Sequence, residues 1–342
     1  MVKKIVCRCS FLLCCVFTAS AVSARDKPGW IESEPARYPN NLYISATGSA
    51  SDFELSKDRA LANLSKVFEV RIDQVSTAKT DVHVSLQNMK EAVTKKNRLS
   101  KLMRVSTDKI IQGTQIVESW RDDELAIHYS LAVLDRKQAR NNIKDEINRL
   151  DEETNIELEN IKQAEDALLA IAGLDRAISL QKKRLSLHNV LKIINLHGRG
   201  YPGEWQLSNL QSQLEEKLRS LKITAAVDNA VTNKLASTEL NKMLKTSMAK
   251  SGFSAVDEGE YTFTINLKIS DLGFQQGWYW KRGKLTVELA RSSGQIIQQK
   301  EWPLKVSALQ SVDAHSRLMT QVANKLNRDL RSLIISSVNK NN

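Results

Sequence analysis

Hydrophobic residues along the chain follow two different spacings, which predict both strands and helices. Apolar side chains alternate with polar ones from Tyr261 to Ile269 and from Leu125 to Val133, a two-residue period typical of half-buried strands. From Ile143 to Ile171, apolar residues instead recur every three or four positions, as they do along one face of a helix. The chain is therefore expected to mix helices with small sheets.

These patterns divide the chain into a short leader and three blocks. The predicted fold class is α/β (α+β), with two small α/β modules separated by a long antiparallel helical hairpin. The expected parts are a signal peptide over 1–24, an α/β module over 25–136, a hairpin spacer over 137–222 and a second α/β module with an antiparallel meander over 223–342.

The first module is predicted to contain four strands and two helices. Ser51 and Glu54 fit a helix capping box, and the helix over 83–104 is strongly basic. We interpret that basic helix as a solvated face, with contact to an anionic surface as the alternative. The predicted order is a strand over 41–48, a helix over 52–66, a strand over 68–73, a helix over 83–104, a strand ending at Trp120 and a strand over 125–133.

The helical block carries opposite charges on the two sides of Gly173, where we predict a turn. Residues 144–166 hold nine acidic and three basic residues, whereas 176–199 hold six basic and no acidic residues. This asymmetry favours an antiparallel hairpin whose arms attract each other; a single continuous helix is the alternative. A further amphipathic helix is predicted from Leu207 to Leu221.

The last block is predicted to run strand, helix, strands and helix. Ser292 to Gly294 reads as a turn between two antiparallel strands, and Pro303 places the last strand at a sheet edge or end. The predicted elements are a strand over 223–227, a helix over 237–250, the strand that contains Tyr261, two further strands and a closing helix over 312–334.

The N-terminal segment resembles a cleavable export signal. Basic residues precede an apolar stretch, and Val22 and Ala24 supply small side chains at the −3 and −1 positions, so cleavage is expected between Ala24 and Arg25. A lipid-anchored form is the alternative, although no cysteine follows a small residue in the usual way. All four cysteines lie within the first fifteen residues, so the mature chain has none and forms no disulfide.

The charge balance says little about a partner. The full chain has a net charge of +11, and removing residues 1–24 takes away three basic and no acidic residues, which leaves +8. An exported protein of this charge is not expected to bind nucleic acid. Anionic lipid or cell wall is a partner class that the charge permits, although basic residues spread through the chain also serve solubility.

No residue pattern predicts catalysis, a metal site or a cofactor. The five histidines are scattered, and none has the spacing of a metal-binding pair. The segment Gly198 to Gly203 matches a dinucleotide-binding pattern, but it follows a helix and contains a proline, so we interpret it as a loop. The aromatic cluster Trp278, Tyr279 and Trp280 is interpreted as core packing, with partner binding as the alternative.

The first module contains a set of motifs that resembles a known family. They are Pro28-x-Trp30, Tyr38-Pro39, Tyr43-Ile44-x-Ala46-x-Gly48-x-Ala50, Ala60-x-Ala62-x-Leu64, Phe68-x-Val70 and a closing Leu134-Asp135-Arg136. This set is similar to the family of the LPP-twenty outer-membrane lipoprotein and to the N-terminal module of flagellar assembly protein T. The resemblance implies an exported envelope protein without enzymatic activity.

The last block resembles, in topology alone, the modules of the curli-secretion lipoprotein, the penicillin-binding-protein activator and the TolB N-terminal domain. Together the observations predict a periplasmic, non-enzymatic accessory or scaffold protein of the bacterial envelope, in flagellar or secretion-machine assembly, whose partners are other envelope proteins. The alternative is a module that docks on peptidoglycan or anionic outer-membrane lipid through a basic surface. A hydrolase ranks last, since no nucleophile, base and orienting group occur at a workable spacing.

Overall fold

The computed structural model describes residues 26–77, 113–228 and 234–336. Over these ranges the chain forms six α-helices and two β-sheets, which confirms the α+β class. The expected cleavage site at Ala24 and the basic helix over 83–104 lie outside the described residues. In chain order the elements are β1 (Tyr43–Ala50), α1 (Phe53–Thr77), β2 (Gln115–Asp122), β3 (Ile127–Asp135), α2 (Arg136–Gln163), α3 (Ala167–Ile194), α4 (Leu207–Ser220), β4 (Ile223–Val227), α5 (Lys234–Lys250), β5 (Ala255–Val256), β6 (Tyr261–Gln275), β7 (Trp278–Arg291), β8 (Ile296–Ala308) and α6 (Ser311–Ser336).

The described residues belong to two compact units, one within 1–64 and 115–133 and the other within 65–114 and 134–342. The first contains a three-stranded sheet in the order β1-β3-β2. Strands β2 and β3 are antiparallel, and the Asp122 carboxylate accepts hydrogen bonds from the backbone N–H groups of Glu124 (3.1 Å) and Leu125 (3.0 Å) in the turn between them. These hydrogen bonds stabilise the turn that joins the two strands.

Two expectations for α1 are wrong. The strand predicted over 68–73 is part of this helix, which continues to Thr77. Ala60, Leu64 and Phe68 recur every fourth residue and are fully buried, so a helical stripe runs through the segment where β-branched residues imitate a strand pattern. The helix N-terminus is capped by Asp52 and not by Ser51, because the N–H of Leu55 donates to the Asp52 carboxylate at 3.0 Å.

The second unit begins with the predicted antiparallel hairpin, but its turn does not lie at Gly173. Helix α2 ends at Gln163, and the Asp166 carboxylate caps α3 by accepting from the N–H of Leu168 at 2.7 Å. Gly173 lies inside α3, where a Cβ atom would come within 2.7 Å of the Ile161 side chain. The glycine therefore allows the two helices to pack closely. From the sequence alone, a glycine with this role cannot be distinguished from a glycine in a turn.

Acidic residues of helix α2 and basic residues of helix α3 form ion pairs that join the two arms of the hairpin. The Arg184 guanidinium donates to both carboxylate oxygens of Asp151, at 2.7 and 2.9 Å, and Arg176 donates to Glu157 at 2.8 Å. Gln181 adds a hydrogen bond to the Thr154 hydroxyl at 2.9 Å. These pairings run in opposite directions along α2 and α3, which confirms the antiparallel arrangement over the continuous helix.

The C-terminal part of the second unit is a five-stranded sheet in the order β5-β4-β6-β7-β8. Strand β4 is parallel to β5 and β6, whereas β6, β7 and β8 form an antiparallel meander. Pro303 lies on the edge strand β8, as expected. Apolar residues of α3, α4, α5 and α6 pack with the sheet in one core; its central members include Leu174, Leu214, Leu244, Phe263, Val287 and Leu326.

Candidate binding surface

The residues that carry the family resemblance stabilise the fold. Trp30 packs with Leu131 and Val133 in a small buried cluster, and the Tyr43 ring meets the Tyr38 ring edge-on at 5.3 Å. These contacts give the aromatic motif positions a packing role in the first unit.

The small and charged motif residues also have structural roles. A Cβ atom at Gly48 would lie 2.7 Å from the Cα of Ala60, so β1 and α1 require small residues where they meet. Asp135 caps α2 by accepting from the N–H groups of Lys137 (2.7 Å) and Gln138 (2.9 Å). The Arg136 guanidinium is buried and donates to the Ile194 carbonyl at 2.7 Å.

The glycine-rich segment between α3 and α4 is a packed loop, as expected. A Cβ atom at Gly203 would come within 2.7 Å of the Arg184 guanidinium, which donates to the Pro202 carbonyl at 2.5 Å. The N–H of Tyr201 lies 3.1 Å from His188 Nδ1. The glycines thus let this loop lie against α3.

Within the described ranges, no group of histidine, cysteine or acidic side chains is arranged to hold a metal ion. The helices that the structure describes include none that is long and apolar enough to cross a membrane.

The aromatic cluster lies at the tip of the β6–β7 hairpin and is not part of the core. Trp278 is 40% exposed and Phe274, across the turn, is 61% exposed. The Phe274 and Tyr279 rings lie 5.0 Å apart, and Trp280 Nε1 donates to the Gln275 carbonyl at 3.3 Å. The expectation of core packing is therefore wrong for Trp278, because its side chain is exposed beside the hairpin turn.

Two further exposed apolar residues lie at the same end of the sheet. Tyr279 of β7 pairs with Ala308, the last residue of β8, so the following segment lies beside the hairpin tip. This segment contains Leu309 (68% exposed) and Val312 (77% exposed). Sequence reasoning singled out neither residue, although both lie close to the predicted start of the closing helix at 312. We call Phe274, Trp278, Leu309 and Val312 the apolar end.

Basic residues lie behind the apolar end on the solvent-facing side of the sheet. Lys268 is directly opposite Lys284 across β6 and β7, and Arg282 is directly opposite Lys305 across β7 and β8. We call these four residues the basic face. An open groove of about 570 Å³ is lined by Arg282, Lys284 and Lys305 together with Glu301 and Pro303.

Local contacts compensate part of this positive charge. Lys284 forms an ion pair with Glu301 at 2.7 Å, and the Lys305 ammonium lies 4.8 Å from the centre of the Trp280 ring. Near the tip, the hydrogen bond from Lys281 lowers the pKa of the Asp271 carboxyl. Arg282 and Lys305 form no ion pair with a described carboxylate.

Comparisons with known proteins cover different shares of the chain. Three solved structures are similar in part: a secreted protein of Helicobacter pylori (14% identity, TM-score 0.40, covering 86% of this chain and 98% of that one), a minor lipoprotein of Acinetobacter baumannii (14%, 0.27, 35% and 92%) and the rare lipoprotein B of Shewanella oneidensis (10%, 0.22, 35% and 94%). At these TM-scores none establishes a shared fold. No curated protein matches the chain. Residues 28–135 match the family model of the LPP20 lipoprotein, which confirms the resemblance found in the motifs of this segment.

Proposed function

We propose that the protein is an exported, non-enzymatic accessory or scaffold protein of the bacterial cell envelope, working in the periplasm in flagellar or secretion-machine assembly. The match of residues 28–135 to an envelope lipoprotein family supports the envelope location. The apparent export signal before Arg25 supports the same location.

The observation that supports a scaffold most directly is that each unit exposes its own apolar surface. In the second unit this is the apolar end. In the first unit, Leu125 in the β2–β3 turn is 64% exposed and Phe53 at the start of α1 is 38% exposed. Large exposed apolar side chains are candidate contacts for a partner, and their presence in both units offers a scaffold two places at which to bind components.

A pull-down from envelope extract tests this proposal. We expect the mature chain to retain a protein partner at fixed stoichiometry in high salt, because an apolar contact is insensitive to screening. Leu125→Asp should lose that partner. Ile156→Asp, at an exposed apolar position of α2, is the matched control and should keep it. The scaffold proposal fails if no partner is retained at fixed stoichiometry or if Leu125→Asp retains it.

A second candidate is docking on the envelope itself, on peptidoglycan or on anionic lipid. The basic face beside an exposed apolar end favours it, since this combination suits an anionic surface. Salt-sensitive retention of the mature chain on purified envelope material would support this candidate.

A further inference from the structure

The apolar end is built from the β6–β7 turn and from the residues around the start of α6. Phe274 and Trp278 flank the β6–β7 turn, where Gln276 and Gly277 both have positive φ angles. Leu309 lies in the connection from β8 to α6, and Val312 is the second residue of α6. Their own fold leaves these large apolar side chains in contact with water, so burying them in an apolar environment outside the second unit would be favourable.

The surrounding charge is positive. Residues 268–284 and 301–317 together contain six basic and three acidic residues. Two of these acids are already used in ion pairs, Asp271 with Lys281 and Glu301 with Lys284. The strand register adds a second indication, because like charges directly opposite each other across neighbouring strands destabilise a sheet. Arg282 and Lys305 form such a pair, which an external anion would relieve.

The spacing of the two groups suits a lipid surface. Arg282 follows Trp278 by four residues and Lys305 precedes Leu309 by four, which is ~13 Å along a strand. When the apolar side chains reach the boundary of the acyl region, these cations remain near the level of the headgroup phosphates. Tryptophan and tyrosine are also the side chains that favour this boundary, since each has an apolar ring and a polar group.

We infer that the apolar end inserts into the interface of an anionic phospholipid membrane while Arg282 and Lys305 bind headgroup phosphates. A fluid lipid surface accepts a convex tip without a preformed socket, which a protein partner would have to supply. This inference deepens the second candidate function and rests on the proposed envelope location. It does not depend on a protein partner at Leu125, so the two proposals can fail separately.

Vesicle co-sedimentation of the mature chain tests the inference. We expect binding to phosphatidylglycerol/phosphatidylcholine vesicles, little binding to pure phosphatidylcholine, and weakening as salt increases. Phe274→Ala/Trp278→Ala should lower the partition coefficient by about tenfold or more, because two large apolar side chains no longer enter the interface. Ile296→Ala, an exposed apolar position at the opposite end of the same sheet, should bind as the wild type does.

Two double variants with the same change in net charge distinguish docking through the proposed surface from nonspecific electrostatic attraction. Arg282→Glu/Lys305→Glu should lower anionic-vesicle binding by about tenfold or more. Lys182→Glu/Lys183→Glu makes the same change in net charge at exposed positions of α3 and should have a much smaller effect. Equal losses in the two double variants would overturn the assignment of the docking surface.

In a quenching measurement, the signal of the wild-type chain is independent of any effect of a variant on folding. Lipids brominated on the acyl chains should quench tryptophan fluorescence of the bound wild-type chain, and Trp278→Phe, compared at equal amounts of bound chain, should lose a large part of that quenching. The inference is overturned if the wild type does not bind anionic vesicles, if Phe274→Ala/Trp278→Ala binds equally well, or if Trp278→Phe leaves the quenching unchanged. Retention on purified peptidoglycan without vesicle binding would also overturn it.

Discussion

Asp166 is the residue that joins the hairpin turn to the C-terminal sheet within the second unit. Its carboxylate caps α3 through the Leu168 N–H and also accepts from the Tyr261 hydroxyl at 2.9 Å and from Arg291. Burial alone would raise the pKa of Asp166, but these hydrogen bonds lower it overall. Burial and the neighbouring Asp166 raise the pKa of Tyr261 to about 12, so Tyr261 stays a donor at physiological pH.

The lowered pKa of Asp166 predicts a specific loss of stability in acid. A carboxyl group with a lower pKa in the folded state stabilises the fold above its unfolded pKa of about 3.9, and this contribution is lost as the pH falls through the folded value. Asp166→Asn should lower the free energy of unfolding at pH 7 by about 1–3 kcal/mol and flatten its decline below about pH 4. Denaturant unfolding between pH 7 and pH 2.5 measures both effects.

The control for this experiment is Asp145→Asn, since Asp145 is an exposed acid of α2. The free energy of unfolding of this variant should depend on pH in the same way as that of the wild type. Identical pH profiles for the two variants would show that Asp166 does not make the predicted contribution.

Gly173 provides a second test at the residue scale. Glycine→alanine inside an exposed helix is usually stabilising by about 1 kcal/mol, but a Cβ atom here would clash with Ile161. Gly173→Ala should therefore destabilise the chain by about 1–3 kcal/mol, measured by denaturant unfolding. In an Ile161→Ala background the same change should become neutral or stabilising. Destabilisation of the same size in both backgrounds would contradict the packing role.

At the scale of elements, the helical hairpin depends on one buried ion pair. The Arg184 side chain is 7% exposed beside Asp151, whereas Arg176 beside Glu157 is 41% exposed. Arg184→Met should cost about 3 kcal/mol of unfolding free energy, because it leaves the Asp151 carboxylate without its cationic partner. Arg176→Met, on the same two helices, should cost at most about 1 kcal/mol. If thermal or denaturant unfolding shows the same loss of stability for both variants, the buried pair does not contribute more than the exposed one.

Much of the element order could be predicted because burial imposes strong periodicity. The alternation from Tyr261 onwards and the opposite charges of the two hairpin arms both led to correct elements. The strand predicted over 68–73 failed because the segment combines a two-residue alternation with the four-residue stripe of Ala60, Leu64 and Phe68, and only packing decides between them. The turn predicted at Gly173 failed because glycine serves turns and close helix contacts alike.

The candidate site was only partly predictable for a similar reason. The Trp278 cluster was visible in the sequence, but alternation along a strand does not say whether that strand extends beyond its covering helices. The pairing of Tyr279 with Ala308 places Leu309 and Val312 near the tip of the hairpin. No local sequence pattern specifies this strand register.

At the scale of the whole molecule, we propose separate tasks for the two units. Residues 28–135, which include most of the first unit, match the model of the LPP20 lipoprotein family, and Leu125 of that unit is the proposed contact with a protein partner. The second unit has a large apolar core and exposes the apolar end for an anionic membrane. A chain with both surfaces would hold another envelope protein at the membrane.

Flotation on anionic vesicles with envelope extract tests this joint claim most directly. The wild-type mature chain should float and bring a protein partner with it at fixed stoichiometry. Leu125→Asp should float alone, whereas Phe274→Ala/Trp278→Ala should stay at the bottom of the gradient together with the partner. If the partner still floats with Leu125→Asp, or if the Phe274→Ala/Trp278→Ala chain still floats, the account is contradicted.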